Sequence, residues 1–284
     1  MEILSKIHAG YATFSKAEKR VADYILSEPH KAVYLSITEL SDACGVGDTS
    51  VFRFCKSLGQ SGYQEFKLRL AQALASASQE DAAVQLTGAV GFQDSVEEVM
   101  RKVLSANVGA LNETFHYLRP EHITRAVGWL KQAERFAFYG VGSSMVTAME
   151  AHSRFLRITP RAQAVGDLHL QLMSSALLSE KDVAVVFSYS GATKDTLDIA
   201  RQAGAGGAKV IGVTRFARSP LAALCDLVLL CGANEGPLQG GSIAVKMSQL
   251  YLLDVLYLEF FRQTLEDSAR NKERTSSAVT HKLV

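Results

Sequence analysis

The sequence predicts an α/β chain in two parts: an all-α N-terminal domain, then a doubly wound α/β/α domain with a mainly parallel sheet. Three observations predict it. The first 75 residues hold closely spaced helix starts and no strand-like run. From residue 135 onward, short apolar runs alternate with helical stretches, the pattern of a parallel sheet covered on both faces. Between them, residues 76–93 (SASQEDAAVQLTGAVGFQ) turn small and polar, as a linker or hinge does. The chain has 284 residues, of which 48% are hydrophobic, enough for two cores. The expected limits are 1–77, a linker at 78–93, and 94–284.

In the N-terminal part, Ser15 and Glu18 fit a capping box, and Val21, Ile25 and Leu26 follow at helical spacing until Pro29. Ser36 and Glu39 repeat the device, with Leu40 and Ala43 facing inward. A glycine turn, Cys44-Gly45-Val46-Gly47, separates that helix from a third over 50–58, capped by Asp48 or Thr49 and stopped by Gly59. Two short helices joined this way form a helix-turn-helix, whose second helix enters the major groove of double-stranded DNA. There Val51, Phe54 and Leu58 should face inward, leaving Thr49, Ser50, Arg53 and Lys56 outside. Arg53 suits a guanine edge or a phosphate, and the hydroxyls suit either. A further helix over 64–75 follows Tyr63; Tyr63 and Lys67 are expected at the DNA backbone. Residues 48–70 carry four basic and two acidic side chains, a weak electrostatic footprint that a dimer would double.

In the second part, Asp94-Ser95 caps a long helix over 96–117 with Val99, Val103, Val108 and Leu111 on one face. A helix over 121–131 follows Pro120. Strands are expected at 135–139, 162–165, 183–187, 209–213 and 227–230. Helices are expected from after the turn 140–144 through Leu156 and at 168–178, 194–203, 220–225 and 242–261. Residues beyond Asn271 read as a frayed tail.

The chemistry concentrates in two strand-to-helix turns. Residues 183–197, VAVVFSYSGATKDTL, run from a buried strand through Ser188, Ser190, Gly191 and Thr193 into a helix. Free N–H groups and the helix dipole there favour an anion, and the hydroxyls add donors. Ser143 and Ser144 form a similar turn at a neighbouring strand end. Ligands in such sheets bind beyond the carboxyl ends of the strands. Together the turns suit one phosphate and some sugar hydroxyls. No basic clamp accompanies them, so the site reads as built on backbone dipoles.

Other readings fail on particular residues. GVGSS is not a dinucleotide fingerprint, since Met145 stands where the third glycine would be and no acidic residue follows at the right distance. There is no Gly-Lys-Ser/Thr for a Walker A loop. The four cysteines lack metal or redox spacing, so neither metal nor cofactor is expected. The net charge of +1 points to no partner. No apolar run is long enough to span a membrane, and the opening MEILSKIHAG is no signal peptide, so a cytoplasmic location is expected. The competing reading is a sugar-phosphate isomerase with an accessory helical domain. Its acid–base candidates are Glu150, His152, His169 and Glu235. Glu150 and His152, two apart, lie about 200° apart around a helix and cannot share one site. No catalytic residue is assigned.

Residues 135–144 (RFAFYGVGSS) and 183–197 resemble the SIS (sugar isomerase) phosphosugar-binding domain. Residues 1–77, with TELSDACGVGDTSVFRFCKSLGQSGYQEFKLRL, resemble the helix-turn-helix half of RpiR-type bacterial transcriptional regulators. The pairing, in that order, is more specific than either half. The resemblance implies that Ser144, Ser188, Ser190 and Thr193 contact the phosphate of a sugar-phosphate effector, with Ser143 and Gly191 in support. It also implies a homo-oligomer, at least a dimer, on a roughly palindromic operator. Gly45-Val46-Gly47-Asp48 departs from that pattern in having two glycines and no serine cap.

Overall fold

The computed structural model describes residues 3–76 and 79–280. The chain forms two compact units. One runs up to Ala106 and includes Asn234–Ser242; the other comprises Asn107–Ala233 and the residues from Ile243 on. No helix among the described residues is long and apolar enough to cross a membrane.

The helical unit contains α1 (Ile3–Gly10), α2 (Lys16–Ser27), α3 (Pro29–Ala32), α4 (Ile37–Cys44), α5 (Asp48–Ser57), α6 (Tyr63–Ala75) and α7 (Gln79–Thr87). Both expected capping boxes are present, at Ser15/Glu18 and Ser36/Glu39. Gly45 adopts φ +63° and closes α4 with a paired motif, its N–H donating to Asp42 O while the Val46 N–H donates to Ser41 O. Gly47 is extended and simply precedes α5, so the second glycine leaves that turn intact. The expected side-chain cap by Asp48 or Thr49 is not made; α5 begins at Asp48, whose carboxylate accepts from the Ser41 hydroxyl and so ties α5 to α4. Val21, Ile25, Leu40, Val51, Phe54 and Leu70 are fully buried together. Phe54 stands edge-on to Phe14 and Phe66, with centroids 5.3 and 5.7 Å away.

The stretch expected as a linker is helical over Gln79–Thr87, where Gly88 at φ +91° ends it; its start, residue 78, lies outside the described residues. Next, α8 spans Val96–Tyr117, as the spacing predicts, with Ser95 and Glu98 forming its cap. Its apolar face is only partly covered: Val99 and Leu111 are half-buried, but Val103 and Val108 are 47% and 46% exposed. Periodicity tells which residues share a face, not what packs on it.

The second unit continues with α9 (Pro120–Gln132), β1 (Arg135–Gly140), α10 (Ser143–Leu156), β2 (Ala162–Ala164) and α11 (Leu168–Ala176). Then come β3 (Asp182–Phe187), α12 (Lys194–Ala205), β4 (Lys209–Thr214), β5 (Leu227–Leu230), α13 (Ile243–Gln263) and α14 (Leu265–Thr280). The expected helix at 220–225 is a single 3₁₀ turn, Ala222–Leu224. All strands are parallel, in the order β2-β1-β3-β4-β5. Alternation sorts side chains into two layers. Phe136, Phe138, Val183 and Val185 pack with residues of α9, α10 and α13, while Ala137, Tyr139, Ala184 and Val186 pack with α12. The frayed tail expected beyond Asn271 is instead the body of α14 up to Thr280. Asn271 Nδ2 donates to Ile158 O and Thr275 Oγ1 to Arg157 O, so polar residues dock the helix where the sequence shows no apolar stripe.

Lys67 is 7% exposed, its ammonium 5.6 Å from the centre of the Tyr63 ring, and burial lowers its pKa to about 8. An unfolded lysine titrates near 10.4, so between pH ~8 and ~10.4 the unfolded chain holds more protons and stability rises with pH. Below that window the folded state bears the full cost of the buried charge. Lys67→Met should therefore raise stability at pH 7, by on the order of 1–3 kcal/mol. Its advantage over the wild type should shrink as thermal melts are moved from pH 8 toward pH 10.

Candidate functional site

The register of β1 on β3 places Gly140 opposite Phe187, so the turns that follow these strands leave one edge of the sheet side by side. At the first, Gly142 adopts φ +58°, and a Cβ on Gly140 would stand 2.6 Å from Ser144 O, so α10 starts hard against the strand end. At the second, Gly191 adopts φ +59°, and a Cβ there would lie 2.2 Å from Ser219 Oγ. Both turns need glycine where the sequence has it.

The hydroxyls are left for something else. Among the described residues, those of Ser143, Ser144, Ser188 and Thr193 form no hydrogen bond with protein, although Ser188 is only 3% exposed. Thr193 is the N-cap of α12 yet makes no capping bond. Ser190 Oγ accepts from the Ala192 N–H at 3.2 Å, which leaves its proton to donate. A capped, self-satisfied turn would look different.

A basic residue absent from the sequence reading stands here. Lys246, on the first turns of α13, donates through Nζ to Ser143 O and, at 3.0 Å, to Thr147 Oγ1. No basic residue was expected beside these turns, and Lys246 stands at the first of them. A cation at the N-terminus of α10 opposes the helix dipole, an arrangement that an anion relieves. Thr147 in turn donates to Gln249 Oε1 at 2.7 Å, and Gln249, 1% exposed, keeps a buried Nε2 with no partner. Such a group costs about 1–3 kcal/mol unless a ligand or water satisfies it. A signal did exist: Lys246 is the sole charge in residues 242–253.

Among the other candidates, Glu235 is occupied within its own loop, accepting from the Gly241 and Ser242 N–H groups. Among the described residues, no group of three or more His, Cys, Asp or Glu is placed to hold a metal.

On the helical unit, Thr49, Arg53 and Lys56 are exposed on α5 and Ser50 is half-buried. They share a face, since Val51, Phe54 and Leu58 are buried. Lys56 Nζ lies 5.4 Å from the centre of the exposed Phe52 ring. Arg20 Nη1 donates to Gly45 O at 3.2 Å and braces the turn. Tyr63 and Lys67 do not join this face: both are buried, and the Tyr63 hydroxyl donates to Leu35 O at 2.9 Å.

Residues 1–77 match the helix-turn-helix domain of the rpiR family, and residues 129–259 match the SIS domain. An uncharacterised HTH-type transcriptional regulator of Caldanaerobacter subterraneus is 33% identical over 100% of this chain and 99% of its own length. HexR, an HTH-type transcriptional regulator of Escherichia coli, is 34% identical over 98% of this chain and 94% of its own. The structure of the Vibrio vulnificus NanR protein complexed with ManNAc-6P superposes with a TM-score of 0.86 at 28% identity, covering 100% of both chains. These full-length relatives are regulators, not isomerases. The chain belongs to the rpiR family of HTH-type transcriptional regulators, with an N-terminal helix-turn-helix and a C-terminal SIS domain.

Proposed function

We propose that this regulator binds a roughly palindromic operator as a homo-oligomer, at least a dimer, in the cytoplasm, and that a sugar phosphate switches it. The observation that carries the reading is the pair of hydroxyl-lined turns with Lys246 at the head of α10. Ser144, Ser188, Ser190 and Thr193 donate to the phosphoryl oxygens, Ser143 and Gly191 shape the turns, and Lys246 supplies the countercharge. That NanR, similar over its full length, is complexed with ManNAc-6P supports an effector of this class. Thr49, Ser50, Arg53 and Lys56 present the DNA-reading face. An oligomer is supported by α8, where Val96, Met100, Leu104 and Phe115 are all more than 60% exposed. A duplex site with two-fold symmetry needs two such chains.

Arg53→Ala should weaken binding to a wild-type-selected duplex by about 10–100-fold in fluorescence anisotropy and leave effector binding intact. A ligand that binds only the folded state raises its melting temperature. Phosphorylated sugars that do so for the wild type should fail with Ser188→Ala/Ser190→Ala, while DNA binding without effector persists. A normal response from the double variant would place the site elsewhere. Leu104→Glu should shift the chain toward monomer in light scattering and weaken operator binding with it.

A further inference from the structure

Tyr189 lies between the two serines of the phosphate turn, but its side chain is engaged elsewhere. Its hydroxyl donates to Ala233 O at 3.0 Å. The Ala233 N–H donates to Glu113 Oε2 at 2.9 Å. Glu113 Oε1 accepts from Arg215 Nη2 at 2.9 Å. The Arg215 N–H returns to Tyr189 O at 3.0 Å. Four bonds thus close a ring through residues from four separate stretches of chain. Tyr117 reinforces it, its hydroxyl donating to Glu113 Oε1 at 2.8 Å and accepting from Arg215 Nη1 at 3.1 Å. The Arg215 side chain is 13% exposed, so solvent screens the ion pair little.

What the ring holds is informative. Glu113 and Tyr117 belong to α8, a continuous helix whose earlier residues, up to Ala106, are part of the helical unit. Ala233 is the last residue before Asn234–Ser242, the segment that also belongs to the helical unit. Two of the three places where the chain passes between this domain and the helical unit, at 106–107 and 233–234, are therefore tied to one residue of the phosphate turn. Ala233 is also the sole non-glycine among the described residues with positive φ, at +94°. An alanine in that region is strained and stays there only while its surroundings hold it. Ring bonds to both its N–H and its carbonyl do so. Beside it, the Gly232 N–H donates to Thr114 Oγ1 at 2.9 Å, and a Cβ on Gly232 would stand 2.7 Å from Glu113 Cβ, which fixes α8 close against this segment.

Resting on the reading of the phosphate turn as the effector site, we propose that the Tyr189–Ala233–Glu113–Arg215 ring carries the effector signal to α8 and to residues 234–242. A phosphoryl group drawn in by Ser188 and Ser190 displaces the peptide units on either side of Tyr189. The ring then either loses the Tyr189–Ala233 bond or drags Ala233 and Glu113 with it. Each outcome changes the restraint on these two connections to the reading head. Glu113 and Tyr189 are positioning residues here, since neither side chain is turned to the effector.

Tyr189→Phe removes one hydroxyl, and Glu113→Gln removes the charge while keeping size. The full chain and both variants are titrated with a wild-type-selected duplex and with a panel of hexose 6-phosphates that includes ManNAc-6P. Binding of each partner is measured alone and in the presence of the other. Each variant should bind DNA alone and sugar phosphate alone within about threefold of the wild type. The factor by which one partner alters the affinity of the other, typically about 5–150 in coupled systems, should fall below about twofold. Hydrogen exchange over 96–117 and 234–242 should respond to effector in the wild type and not in Tyr189→Phe. Variants that keep the wild-type coupling factor overturn the relay alone, as does loss of sugar-phosphate binding by Tyr189→Phe, which would place that side chain in the pocket. Failure of the wild type to bind or respond to any of the panel overturns the effector reading and the relay with it.

Discussion

The parallel pairing of β1 with β3 is the constraint on which the rest depends. Each strand alone ends in an ordinary turn. Pairing them with Gly140 opposite Phe187 puts the two turns at neighbouring strand ends, where α10 and α12 begin. Backbone donors, hydroxyls and two helix N-termini then lie at the same end of the sheet. The sheet order places β1 and β3 in the interior, covered on both faces, where neither can shift register without moving its apolar side chains out of their layers.

Much of this was legible because it is local. A capping box is written within four residues, and Ser15/Glu18, Ser36/Glu39 and the start of α8 at Val96 all stand where the sequence places them. The two serine turns were legible for the same reason, since strand, glycine, hydroxyls and helix follow one another in the chain. What was not legible depends on residues distant in sequence. Lys246 reaches Ser143 across 103 residues, and spacing along α13 alone does not show which strand end it meets. Asp48 was expected to cap its own helix but bonds Ser41 of the previous one. Lys67 and Tyr63 carry polar atoms that read as surface, yet their stems and rings fill the interior of the helical unit. The tail failed differently: Asn271 and Thr275 dock α14 through two backbone carbonyls, a contact that no hydropathy pattern encodes.

The electrostatics separate two basic residues that composition treats alike. Arg215 and Lys246 both belong to the ligand-binding unit, but Arg215 is matched by Glu113 and stacked 5.2 Å from the centre of the Tyr117 ring. Its charge is already answered within the protein. Two of the hydrogen bonds of Lys246 go to neutral acceptors, the Ser143 carbonyl and the Thr147 hydroxyl, which hold its ammonium at the head of α10. A whole-chain charge of +1 is silent about where a single lysine stands.

A switch needs an element that is neither too firm nor too loose. A neutral intramolecular hydrogen bond contributes about 0.5–1.5 kcal/mol net, and one to a charged group about 1.5–3 kcal/mol. The Tyr189–Ala233 bond is of the first kind and the Arg215–Glu113 bond of the second. Exchanging the weaker bond while the stronger persists therefore involves about 1 kcal/mol, the lower end of the 1–3 kcal/mol typical of allosteric coupling. Relaxation of Ala233 from φ +94° would release strain of about the same size and so offset part of the loss of that bond. A full reversal from 1:99 to 99:1 needs about 5.5 kcal/mol of differential affinity. One ring per chain falls short of that figure. In the proposed oligomer, two or more rings acting on a shared arrangement of reading heads come closer to it, so the switch as well as the proposed two-fold operator favours a second copy.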